Sequence, residues 1–132
     1  MKREILFRGK RTDNGEWIYG WLVEDVESNI YAIISYVNLN GNIHDLSECQ
    51  IFEVIPETVG QFTGLYDKNA VKIFEGDIIT NRYFESGRVY YEDGAFEVSE
   101  NGLIGTFNEN FDGDICEVIG NIYDNPELME RS

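Results

Sequence analysis

The sequence predicts a mainly β fold with little helix, arranged as a barrel, a roll or a pair of small sheets. Three observations lead there. Short β-branched and aromatic runs recur along the chain, as in Ile51-Phe52-Glu53-Val54-Ile55 and Ala95-Phe96-Glu97-Val98. Corners rich in glycine and asparagine, such as Asn14-Gly15 and Asp93-Gly94, separate them. No stretch long enough for an ordinary helix repeats its apolar positions at helical spacing. The chain has 132 residues, 42% of them hydrophobic, with eight Phe, eight Tyr and two Trp. That is enough apolar surface to build a core without a metal or disulfide.

The first unit reads as a hairpin. Ile5 and Phe7 alternate with Leu6 and Arg8, Thr12-Asp13-Asn14-Gly15 supplies the turn, and the chain returns through residues 16–23. Side chains alternate between the faces of a strand, so Trp17, Tyr19 and Trp21 share one face while Ile18, Gly20 and Leu22 share the other. Both faces carry apolar groups, so this strand is expected to be covered on both sides or to lie at an interface. Gly20 marks a bulge or a close backbone approach.

Residues 30–37 form the next expected strand, followed by a turn at residues 38–42. A short strand at 51–55 is limited by Pro56. Residues 57–67 hold Gly60 and Gly64, spaced too closely for a long helix. Asp67-Lys68-Asn69-Ala70 is a turn before an extended run at 71–74, and Glu75-Gly76-Asp77 is a second corner before 78–80. Runs at 88–91 and 95–98 flank Glu92-Asp93-Gly94, a hairpin signal. Asn101-Gly102 is a further turn, and residues 107–115 leave room for a short helical turn that Gly113 limits. A terminal strand at 117–123 ends at Asp124-Asn125-Pro126. Residues 1–56 and 57–132 are the expected division, although no linker separates them and they could pack as one compact domain.

Charge is the extreme property. Ten Lys and Arg stand against twenty-five Asp and Glu, a formal net charge of −15. Residues 24–67 and 92–130 contain no Lys or Arg, whereas Lys2, Arg3, Arg8, Lys10 and Arg11 crowd the start. Phosphate backbones are held chiefly by cations, so direct nucleic-acid binding is not expected. No apolar run approaches the length of a transmembrane helix, and the opening Met1-Lys2-Arg3-Glu4 has no apolar signal segment, so a cytoplasmic protein is expected. Cys49 and Cys116 read as two reduced thiols.

Little in the sequence points to catalysis, a cofactor or a metal. His44 beside Asp45 is read as a loop pair. Asp112-Gly113-Asp114 fails as a calcium loop, because Ile119 falls where a glutamate ligand belongs. Asp77 and Asp93 are read as turn carboxylates, and Gly60-Gln61-Phe62-Thr63-Gly64 lacks the Lys and Ser/Thr of a phosphate loop.

Several segments resemble the YopX family of phage and prophage proteins. The opening run from Ile5 to Lys10 leading to Trp17-Ile18-Tyr19-Gly20 fits it. So do the central run from Val54 to Asn69, its continuation from Ile73 to Ile79, and the end from Ile119 to Leu128. The family usually has Gly where this chain has Ala70. The resemblance implies a mainly β SH3-like barrel or roll, a phage or prophage context in a bacterial host, and self-association; the hairpin read from residues 5–23 adds an N-terminal β hairpin unit to that fold. It brings no catalytic residues. Its recurring Gly20, Gly60, Gly64, Gly76, Asp77, Gly120 and Asn121 are read as turn and packing determinants. The functional expectation is action through protein contacts, with Trp17, Tyr19 and Trp21 as the candidate interface and a homo-oligomer as the simplest assembly. Two alternatives stand beside it. One is an acidic mimic of DNA that binds a basic host protein. The other is a divalent-metal-dependent hydrolase or nuclease using Asp77, Asp93, Asp112 and Asp114.

Overall fold

The computed structural model describes residues 5–35, 50–81, 84–100, 103–107 and 116–129. Those residues are almost entirely strand. In order they form β1 (Phe7–Lys10), β2 (Trp17–Asp25), β3 (Ile30–Ser35), β4 (Gln50–Val54), β5 (Gly60–Tyr66), β6 (Lys72–Phe74), β7 (Asp77–Asn81), β8 (Phe84–Glu92), β9 (Ala95–Glu100), β10 (Leu103–Phe107) and β11 (Cys116–Asn121). Among the described residues the helical structure consists of short 3-10 turns at Pro56–Thr58 and Pro126–Met129. The fold is therefore mainly β with little helix, and the β1–β2 pair is the N-terminal hairpin, consistent with an SH3-like roll. The turn at residues 38–42, the His44-Asp45 pair, Cys49, the Asn101-Gly102 turn and most of the 107–115 stretch lie outside the described residues.

The chain divides into two compact units, Met1–Phe62 and Thr63–Ser132. In the first, β1 to β4 pair as an antiparallel meander, with Phe7 opposite Gly20, Trp21 opposite Ile34, and Ile34 opposite Ile51. The sheet then curls until its far edge meets its beginning. Arg11 bridges Val54, the Thr12 amide donates to the Glu53 carbonyl at 3.1 Å, and the Ile55 amide donates to the Lys10 carbonyl at 2.8 Å. The start of β5 pairs with β1, Gln61 opposite Phe7. Ile33 and Val54 are wholly buried on the inner face, where a side chain in place of Gly9 would press on Val54.

In the second unit β7, β8, β9 and β10 form an antiparallel meander, with β11 on the other side of β7 and β5 pairing β6. Its core is Ile73, Ile79, Val89, Phe96, Val98 and Cys116, with Leu65 and Val118 packed against it. The β8–β9 corner has Asp93 at φ 54° and Gly94 at φ 84°. Positive φ at both central residues matches the right-handed twist of the strands it joins.

Ala70 also has a positive φ, 63°, so it holds the left-handed geometry that glycine adopts at no steric cost. Its side chain is exposed. Ala70→Gly is expected to raise stability by about 0.5 kcal/mol, relief of the Cβ clash outweighing glycine's greater unfolded entropy. A urea titration that instead showed a loss of about 1 kcal/mol would refute the strain.

Candidate functional site

The first unit places its aromatic row on the outer face of β2. Strand alternation puts Trp17, Tyr19, Trp21, Val23 and Asp25 there, with Ile18, Gly20 and Leu22 on the inner side. Cross-strand pairing then builds rows perpendicular to the strands. Trp21 stands beside Ile34 and Ile34 beside Ile51, while Val23 stands beside Ala32 and Ala32 beside Glu53. Trp21, Val23 and Ile51 are 47%, 45% and 61% exposed, and Ile30 at the end of the same face is also exposed. Trp17 and Tyr19 are half-buried. The face is thus a contiguous apolar patch centred on one tryptophan.

The two ends of the patch differ in charge. At the Trp17 end, the Arg8 guanidinium carbon lies 4.6 Å from the indole ring centroid and the Lys10 ammonium 5.5 Å from it. A cation near an indole face is attracted to the ring's negative quadrupole. Arg8 is buried, whereas Lys10 is half-buried. At the Val23 end stand the exposed carboxylates Asp25 and Glu53. Arg11 lies outside this polarity. Its guanidinium stacks on Phe52 at 4.1 Å and makes paired bonds to Asp13 at 2.9 and 2.6 Å. That pairing raises the Arg11 pKa and lowers that of Asp13. Lys2 and Arg3 lie outside the described residues.

The turn residues occupy the following places. Gly20, Gly60 and Gly76 are buried, and Gly64 and Gly76 have φ of 88° and 94°. The Gly76 amide donates to the Val89 carbonyl, and its carbonyl accepts from Ile122. Gly120 sits at a register shift between β11 and β7, next to the Asn125 side chain. Asn121 Oδ1 accepts from the Tyr123 and Asp124 amides at 3.0 and 2.9 Å. Asp77 Oδ2 accepts from the Phe74 amide at 2.7 Å. Among the described residues no group of three or more His, Cys, Asp or Glu side chains is placed to hold a metal ion. Asp112 and Asp114 lie outside that set.

Sequence reasoning missed two features. Ile34 and Ile51 complete the patch, but only the register between β2, β3 and β4 reveals that they flank Trp21. Asp67, read simply as part of a turn, is 6% exposed and anchors that turn to β11. Its Oδ1 accepts from the Asn69 and Val71 amides at 2.8 and 2.9 Å, and its Oδ2 from the Val118 amide at 2.9 Å. Burial, the largest single influence, disfavours its charge. The amides of Val118, Val71 and Asn69, together with Lys68, outweigh burial and hold the carboxyl below its ordinary range.

No helix among the described residues is long and apolar enough to cross a membrane. A comparison with curated proteins gives no match. In fold the chain is similar to the crystal structure of protein EF1440 from Enterococcus faecalis, with a TM-score of 0.58 and 26% identity, covering 97% of this chain and 99% of that one. The family model described as YopX protein matches residues 6–130. With the full run of strands and corners inside that match, the chain belongs to the YopX family of phage and prophage proteins.

Proposed function

We propose that this phage or prophage protein works as a protein-binding module, with the outer face of β2, β3 and β4 as its contact surface. The observation that supports this reading is the in-register row Trp21–Ile34–Ile51, in which a large rigid aromatic and Ile51 stay exposed on a regular sheet. Scattered exposed apolar residues are ordinary on any protein surface. A contiguous row centred on tryptophan and bordered by charge is the composition of an interface centre and its rim.

Trp21→benzoylphenylalanine, a photocrosslinking residue, tests it in bacteria producing the protein. The expected result is a discrete adduct whose crosslinked peptide is identified by mass spectrometry. The same probe at Tyr91, an exposed aromatic of the second unit, should give none. No adduct at position 21, or equal labelling at both positions, would overturn the reading.

A further inference from the structure

We infer that the partner seated on this face is a protein surface with an apolar centre bordered by lysine or arginine. This rests on the protein-binding reading above and names the chemistry of its partner. The exposed part of the face starts at Trp21, because Trp17 and Tyr19, at the end where Arg8 and Lys10 approach the indole, are half-buried. From Trp21 onward the register lays the side chains out as a grid. One row is Trp21–Ile34–Ile51, the next is Val23–Ala32–Glu53, and Asp25 stands beside Ile30 in the third.

The two charged positions of that grid, Asp25 and Glu53, are both carboxylates and both exposed. They do not sit together. Strands about 4.8 Å apart and a rise of about 3.4 Å per residue set their Cα atoms about 12 Å apart. That spacing suits two cationic side chains of one partner rather than a single shared ion. Ala32 and Ile30 fill the step between them with apolar surface.

The surroundings have the same sign. No Lys or Arg occurs in residues 24–67, so β3, β4 and the turn between β2 and β3 contribute no cation. Glu24 at the end of β2 and Glu27 in the turn after it are also exposed. The net charge of −15 adds a long-range field of that sign. An acidic protein, a second copy of this chain included, is repelled by it, whereas a basic one is attracted and oriented. Trp21 and Ile51, 47% and 61% exposed, then lose water only against an apolar surface. A polycation with no apolar centre would leave that row wet. An apolar partner with no cations would desolvate two carboxylates without pairing them.

The photocrosslinking probe at position 21 supplies the partner for the test. The surface around the crosslinked residue is expected to carry two or more Lys or Arg side chains beside apolar ones. In calorimetric titrations with that purified partner, Asp25→Lys/Glu53→Lys should bind at least about tenfold more weakly than wild type. Glu92→Lys/Glu127→Lys changes the net charge equally, from exposed positions in the second unit. At about 0.15 M salt, where charges beyond about 8 Å are largely screened, it should bind within about twofold of wild type. Asp25 Oδ1 accepts from the Ser28 amide at 3.4 Å, so its replacement could disturb the turn. Glu53→Lys alone, expected to weaken binding about threefold, stands in for the double variant if circular dichroism shows such a change.

Equal weakening by the two double variants overturns the inference, as does binding indifferent to both Asp25→Lys/Glu53→Lys and Glu53→Lys. So does a crosslinked surface that is acidic or that belongs to a second copy of this chain. In each of these cases an adduct still forms, and the protein-binding reading stands. The absence of any adduct at position 21 defeats both.

Discussion

Gly20→Ala is expected to destabilise the first unit by about 3 kcal/mol or more, a large share of the stability of any small domain. A Cβ at this position would lie 1.9 Å from the carbonyl oxygen of Ile34 and 2.8 Å from its carbonyl carbon. Both are backbone atoms of the neighbouring strand, so no rotamer change relieves the clash. β2 and β3 must part, and with them the Trp21–Ile34 pair. Gly15→Ala is the matching control. Gly15 has a φ of 73° with nothing near its would-be Cβ, so that change should cost only the backbone penalty, about 1–2 kcal/mol. The chain's two tryptophans, Trp17 and Trp21, both lie in the first unit, so their fluorescence in urea reads this unit directly. A Gly20→Ala midpoint equal to wild type would refute the close approach.

The second large effect is expected at Asp67. Asp67→Ala leaves the partly buried amides of Asn69, Val71 and Val118 without their carboxylate acceptor. A buried donor left unmade costs about 1–3 kcal/mol; water reaches the amides of the exposed Asn69 and Val71 in part, so the three donors together should cost about 3 kcal/mol. Asp67→Asn should cost less, because its carbonyl oxygen can keep the Asn69 and Val71 bonds while its NH2 faces the Val118 amide. The variants also carry a pH signature. The folded carboxyl titrates below its unfolded value, so its stabilisation is complete above the unfolded pKa, about 4, and fades as pH falls through the folded value. The stability gap between wild type and Asp67→Asn should therefore be constant near neutrality and shrink below about pH 4. Repulsion among the other carboxylates changes equally in both proteins and cancels from the gap. Urea titrations followed by far-ultraviolet circular dichroism at pH 7 and pH 3 measure it. An unchanged gap would mean the carboxylate's charge adds nothing to the turn.

What the sequence made legible was local. Alternation around Trp17, Tyr19 and Trp21 assigned the faces of β2, and Asp93-Gly94 signalled a corner whose positive φ angles match its residues. Features that depend on distant partners were hidden. Residues 60–66 hold two glycines and no clear alternation, yet they become β5 because β1 and β6 supply hydrogen-bonding neighbours. The first half of β8 and the whole of β10 were missed for the same reason, since pairing with β7 and β9 overrides weak local preference. In the candidate site, the aromatic row could be read from spacing, while its extension through Ile34 and Ile51 could not. Register is a property of pairs of strands, and a shift of one residue would have turned both isoleucines inward. The anchoring role of Asp67 depends on the Val118 amide, which nothing adjacent in sequence announces. The family pattern reached nearly the whole chain but identified strands and corners rather than the face they present.

The pairing of β1 with β5 has a consequence for the nascent chain. Phe7 faces Gln61, and the Phe62 amide donates to the Leu6 carbonyl at 2.8 Å. The N-terminal hairpin can form once β2 has cleared the exit tunnel of the ribosome, but one side of β1 must then wait for nearly the whole first unit to emerge. During that interval a nascent chain presents an open strand edge to every other chain on the same polysome. Closing the long loop is a slow, entropically costly step compared with making the hairpin. The time that residues 24–62 take to emerge thus sets the period in which the growing chain is most open to mispairing.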